Sequence, residues 1–292
     1  MENLFEKGCL VQLSVSKWGG VKKIDRDQLA RMVQATDSDW MTATKKLVDP
    51  DSLKPICKVG NAARSYLGGV SLPFPINGML FVPKEMISRV DERLEEFKAE
   101  FDDAVRVFVA EYDHLRETAM VYLADLFSEV DYPVNVREKF AFSWRFIVLD
   151  VPSGKSGLLS PEVYEREKDK FLRTMEEARE LAVQSLREEF AAMVTRITER
   201  FSQGPDGKSK VFKNATVDSF YEYFETFKER NIFRDEELAE LVSQAQAILG
   251  EKSPEAIRSN DGLKETIRHD MHDVEEAMAE MLARPRRKVV MD

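Results

Sequence analysis

The chain has 292 residues, 43% apolar and 33% charged, with 13 Gly and 11 Pro; it can bury a real core, and a collagen-like or low-complexity chain is excluded. Its 53 acidic against 43 basic residues leave a formal charge of −10, which disfavours a bulk polyanion binder but not a local basic patch. Cys9 and Cys57 have neither CxxC spacing nor the density of a secreted disulfide scaffold, and residues 1–7 are acidic where a secretory signal needs basic and apolar stretches. The expectation is a cytoplasmic protein with reduced, structural cysteines.

In chain order, residues 11–16 alternate apolar and polar side chains, the period of a half-buried strand, and Trp18-Gly19-Gly20 reads as a turn. Residues 25–67 read as short helical pieces broken by Pro50 and Pro55 and closed by Gly68-Gly69, and residues 79–82 as a second strand. From Pro83 a heptad seam begins: Ile87, Val90, Leu94, Phe97, Phe101, Ala104, Phe108, Tyr112, Leu115, Ala119, Tyr122 and Leu126, with one stutter near Phe108. Ser160 and Pro161 open a second long helix to about residue 203, striped by Phe171, Met175, Ala178, Ala182, Leu186, Phe190, Met193, Ile197 and Phe201. The two segments, 84–127 and 161–203, are nearly equal in length. They predict an antiparallel coiled-coil stalk of roughly 66 Å, with residues 128–160 as a tip holding a strand over 142–151. After the turn at 204–207, three helices are predicted over 216–228, 235–249 and 253–282, then a basic tail at Arg284, Arg286, Arg287 and Lys288. The fold class is mainly α (α+β), with residues 1–83 and 204–292 forming one discontinuous base domain and 84–203 the stalk and tip.

No residue set specifies a reaction. Gly154-Lys155-Ser156 resembles part of a phosphate loop, but the required first glycine is Leu149, and Gly207-Lys208-Ser209 fails similarly at Ser202. His269 and His272, beside Asp270, Asp273 and Glu276, could share a metal-binding face, yet only His114 exists as a third imidazole; a solvated face is the simpler reading. Acidic runs such as Glu95, Glu96, Glu100, Asp102 and Asp103 read as an outer helix face. Catalytic, cofactor and metal residues are therefore expected to be none. Two surfaces remain as candidate sites. One is a basic patch of Lys17, Trp18, Lys22, Lys23 and Arg26, able to hold phosphates with Trp18 stacking on a base. The other is the tip, where Phe142, Trp144, Phe146, Ile147, Val148 and Leu149 are too apolar for an exposed loop and suggest a partner-binding surface.

The chain resembles a family of uncharacterised phage and bacterial proteins, a domain of unknown function. The resemblance rests on Leu13-Ser14-Val15-Ser16-Lys17-Trp18 with the following Gly20 to Lys23, on Lys46-Leu47-Val48-Asp49-Pro50 and Leu53-Lys54-Pro55, and on stretches at 206–217 and 224–232. It covers nearly the whole chain and carries no catalytic residues. It implies a setting beside a MoxR-type AAA+ ATPase and a von Willebrand A domain protein. The reading is a non-enzymatic scaffold or adaptor of a multi-protein system, self-associating as a homo-oligomer. The alternatives are a nucleic-acid-associated phage protein and, by analogy of a helical hairpin bearing an apolar tongue, a pore-former, although no stretch is long enough to span a membrane.

Overall fold

The computed structural model describes residues 4–33, 41–149, 160–201, 214–250 and 252–284. The protein is mainly helical with a small antiparallel sheet. Its elements are β1 (Gly8–Ser16), β2 (Val21–Lys23), α1 (Arg26–Val33), β3 (Thr44–Lys46), α2 (Lys54–Val70), β4 (Leu72–Pro73), β5 (Leu80–Pro83), α3 (Ile87–Leu123), β6 (Ala141–Ile147), α4 (Pro161–Phe201), α5 (Ala215–Arg230), α6 (Glu236–Leu249), α7 (Pro254–Ser259) and α8 (Asp261–Ala283). The chain divides into two compact units: residues 1–10, 68–87 and 147–292 form the first, residues 11–67 and 88–146 the second. This division differs from the base and stalk expected from the heptads.

In the first unit the buried face of α4, carrying Ala178, Ala182, Leu186, Phe190, Met193 and Ile197, lies against α8 and α5. The face of α5 answers with Phe220, Tyr223 and Phe227; Phe190 and Tyr223 stack at 5.6 Å, and Phe190 meets Phe220 edge-on at 6.3 Å. Ile267, Met271, Val274, Met278 and Met281 give α8 an apolar stripe of helical period, and α6 adds Leu238, Val242, Ala245 and Leu249. The strands β4 and β5 pair antiparallel with Leu72 opposite Phe81, and β1 follows β5. Gly8 must be glycine, because a Cβ there would stand 2.1 Å from the Val82 carbonyl oxygen.

The second unit is organised around α3. Val90, Leu94, Phe97, Phe101, Val105, Phe108, Tyr112 and Ala119 are buried, so the expected seam holds over the middle of α3, with Val105 in place of Ala104 because the stutter falls one repeat early, while Ile87, Leu115 and Leu126 are half-buried and Tyr122 is exposed. The seam is filled by its own unit: Phe142 lies 5.6 Å from Phe101, Phe140 5.5 Å from Phe108, Trp18 5.7 Å from Tyr112 and Tyr66 5.9 Å from Phe97. The expected stalk needed the stripes of α3 and α4 for each other. Both are occupied by other elements of their respective units.

The expected tip is corrected in the same way. Its strand is β6, placed beside β1 in the sheet order; Phe142 is buried, Trp144 donates its indole N–H to Asp91 at 2.8 Å, and Phe146 is half-buried. Ile147 and Leu149 pack against the core of the first unit, leaving Val148 as the exposed apolar side chain of the six. An apolar run unfit for a loop is thus explained by ordinary burial. The remainder of the tip, residues 150–159, lies outside the described residues.

Smaller differences have local causes. The glycine pair Gly68-Gly69 lies inside α2 instead of ending it, with open space around both glycines. The predicted helix over 253–282 is two: Asn260 ends α7 in extended backbone, and its side chain caps α8 by accepting from Leu263 N–H at 3.0 Å.

Candidate anion-binding cleft

The positive φ of Gly20, +61°, turns the chain into β2, and a Cβ there would press within 3.0 Å of Leu53 and 3.2 Å of Val48. The strands β2 and β3 then pair antiparallel with Val21 opposite Lys46, Lys22 opposite Lys45 and Lys23 opposite Thr44. Flanking hydrogen bonds, Leu47 N–H to Gly20 O at 2.8 Å and Ile24 N–H to Ala43 O at 2.9 Å, fix that register. Side chains alternate across a strand, so the opposed Lys22 and Lys45 share one face.

That face is the wall of a cleft of about 570 Å³ inside the second unit, lined by Lys22, Lys23, Ile24, Asp25, Arg26, Gln28, Lys45, Ser128 and Asp131. Lys45 is buried; its ammonium pairs with Asp131 at 2.6 Å and donates to the Leu126 carbonyl. Lys22 reaches the same carboxylate at 3.8 Å while its side chain stays 56% exposed. The neighbouring Tyr132 is anchored by its hydroxyl, which donates to Leu47 O at 2.8 Å; burial first, then Tyr112 and the Asp131 and Glu129 carboxylates, push its phenol up to about 12. On the opposite wall Asp25 is engaged with the start of α1, accepting from the Asp27 and Gln28 backbone N–H groups at 3.0 and 3.4 Å. Four cations therefore line the cleft with two carboxylates, one of which is committed to a helix cap.

The structure brings together three of the five residues expected in the basic patch: Lys22, Lys23 and Arg26 line the cleft. Lys17 is elsewhere, its ammonium 2.9 Å from the Cys57 sulfur, and Trp18 is half-buried against Phe108 and Tyr112. The role of stacking on a base is therefore withdrawn from Trp18; its ring belongs to the core of the unit. Sequence reasoning missed Lys45 and Asp131. The signal available was the doublet Lys45-Lys46 in an extended Thr-Lys-Lys triplet echoing Val21-Lys22-Lys23; nothing pointed to Asp131.

His272 lies 3.8 and 3.5 Å from Glu275 and Glu276 on α8, and among the described residues no group of three or more His, Cys, Asp or Glu is placed to hold a metal ion. The acidic run of α3 makes surface ion pairs, Arg93 with Glu96 and Glu100, and Arg106 with Asp103 at 2.9 Å. The phosphate-loop lookalikes at 154–156 and 207–209 lie outside the described residues, as does the basic tail beyond Arg284, which itself pairs with Glu237 at 3.1 Å. Among the described residues, no helix is long and apolar enough to cross a membrane.

No curated protein and no solved structure matches the chain. One family model, described as "Protein of unknown function (DUF3150)", matches residues 5–203. That span holds the whole second unit with its cleft, and α4 of the first; the stretches at 206–217 and 224–232 that contributed to the resemblance fall beyond it. The chain belongs to this DUF3150 family of proteins of unknown function.

Proposed function

We propose that the chain is a non-enzymatic, nucleic-acid-associated protein of a phage or bacterial multi-protein system, holding the phosphate backbone in the β2–β3 cleft. The observation that carries this reading is the register placing Lys22 beside the buried Lys45, with Lys23 and Arg26 along the same cleft. With Trp18 packed in the core, the grip is electrostatic and indifferent to base sequence. The overall charge of −10 keeps it weak and steeply salt-dependent. Fluorescence anisotropy with single- and double-stranded oligonucleotides between 50 and 200 mM salt tests it. Loss of affinity with salt, with a slope reduced by about one for each of Lys22→Gln and Lys23→Gln, supports it; no binding at 50 mM salt defeats it.

A second reading is the adaptor that self-associates or joins a MoxR-type ATPase and a von Willebrand A protein. It is favoured by an exposed apolar group within the second unit, where Val121 is 76%, Tyr122 85% and Val130 92% exposed. Light scattering, alone and with those two partners, tests it: Tyr122→Asp should dissolve any complex, and a monomer of 33.6 kDa that captures neither partner rejects it.

A further inference from the structure

The first unit carries a second cleft, of about 340 Å³, lined by Leu4, Lys7, Met175, Glu176, Arg179, Phe233 and Arg234. Its floor is apolar: Leu4 is buried, and Met175 and Phe233 pack partly against the core. Around that floor stand three cations. The Lys7 ammonium lies 5.8 Å and the Arg179 guanidinium 5.9 Å from the centre of the Phe233 ring, and Lys7 also donates to Ile232 O at 3.1 Å. A carboxylate of the lining, Glu176, lies 3.9 Å from Arg179. Asp235, next in the chain, is turned away, its carboxylate pairing with Arg187 at 2.6 Å and capping α6 through Leu238 N–H.

The segment presenting Phe233 and Arg234 is rigidly built. The Asn231 side chain spans the turn, accepting from Asp235 N–H at 2.8 Å and donating to Asp235 O at 3.2 Å, while Arg234 N–H closes it onto Asn231 O at 3.1 Å. Arg234 sits at φ +54°, a left-handed conformation that costs a side-chain-bearing residue and that glycine adopts freely. An arginine held there spends strain to project a guanidinium beside the cleft.

We propose that this cleft binds a small phosphomonoester, its organic ring packed on Phe233 and Met175 and its phosphate held by Arg179, Arg234 and Lys7. Guanidinium groups grip phosphate oxygens in pairs, and a cleft near the small end of the ligand-binding range, about 300 to 1,000 Å³, limits the organic part to about one ring system. The site is separate from the β2–β3 cleft and does not depend on the reading given to it.

Calorimetric titration of the full chain with AMP, adenosine and inorganic phosphate provides the test. AMP should bind at least tenfold more tightly than either fragment, because neither one engages both floor and cations. Arg234→Gly is the decisive variant: it relieves the positive φ, so the melting temperature should hold or rise, while AMP affinity falls at least tenfold. Arg179→Gln should weaken AMP similarly, and the Lys22→Gln, Lys23→Gln pair should leave AMP binding unchanged. AMP binding no tighter than phosphate or adenosine overturns the proposal. So does AMP affinity that survives Arg234→Gly, or that is lost with the Lys22 and Lys23 replacements instead.

Discussion

Among the described residues two cations are buried, Arg230 in the first unit and Lys45 in the second, and their surroundings differ in kind. Arg230 makes a two-pronged pair with Glu189 at 3.2 and 2.5 Å and lies 5.8 Å from the centre of the Tyr223 ring, whose hydroxyl is itself engaged with Leu186 O. The guanidinium is buried while the Glu189 side chain is 34% exposed, a structural ion pair at the edge of the core. Lys45 shares Asp131 with Lys22 at the wall of an open cleft where Lys23 and Arg26 add further charge. The Arg230 Nε stays buried without a hydrogen-bond partner, whereas the Lys45 ammonium has both a carboxylate and a carbonyl. A buried cation at the wall of a cleft lined by further cations is placed to meet an anion, whereas one paired against the core is architecture.

Substitutions can break that contrast. Phe190→Ala should be the most damaging, about 3–5 kcal/mol by denaturant unfolding, because it opens a cavity between Tyr223 and Phe220 without touching either ion pair. Glu189→Gln strands a guanidinium that is 2% exposed and should cost about 2–4 kcal/mol while oligonucleotide binding by the intact fraction stays unchanged. Asp131→Asn should act in opposite directions on the two readouts. Stability falls by about 1–2 kcal/mol as Lys45 loses its charge partner, and oligonucleotide affinity rises about fivefold, the worth of roughly 1 kcal/mol of removed repulsion. If both readouts fall together, the carboxylate is part of the ligand grip and not its competitor.

A smaller effect appears in base. Tyr132 ionises near 12 in the folded chain against about 10 unfolded, so the native state holds the phenolic proton more tightly. Its contribution is complete below pH 10 and is lost as pH rises through about 12. Tyr132→Phe should flatten that decline in urea midpoints between pH 9 and 12 and cost about 1 kcal/mol at pH 7 for the hydrogen bond to Leu47 O. Smallest on stability are Lys22→Gln and Lys23→Gln, within about 0.5 kcal/mol.

What the sequence made legible was local. The seam of α3 and the stripe of α4 were readable because helical periodicity reports which face is buried. Periodicity does not report what covers the face, so two stripes of similar length invited pairing although α8 and the ring of Phe142 were the true neighbours. Pro161 as a first helical residue carries recognisable local chemistry, whereas the cap at Asn260 that divides the helix expected over 253–282 was not read. The cleft was half legible: Lys22, Lys23 and Arg26 are close in sequence, whereas Lys45 and Asp131 arrive through strand pairing and a turn far along the chain, which no spacing encodes. Trp18 was misread for the same reason, since Phe108 and Tyr112 are distant in sequence.

The strand β1 is divided between the units, residues up to Leu10 falling in the first and those from Val11 in the second, and in the sheet order it stands between β5 and β6. During synthesis β1 is finished at Ser16, whereas its neighbour β6 is completed only at Ile147. At about 5–20 residues per second the edge of the strand that faces β6 waits on the order of ten seconds for its partner. Until then the edge of β1 that β6 covers is open to other chains. Production yield should therefore respond to chaperones and to the pace of translation more strongly than the stability of the finished protein would suggest.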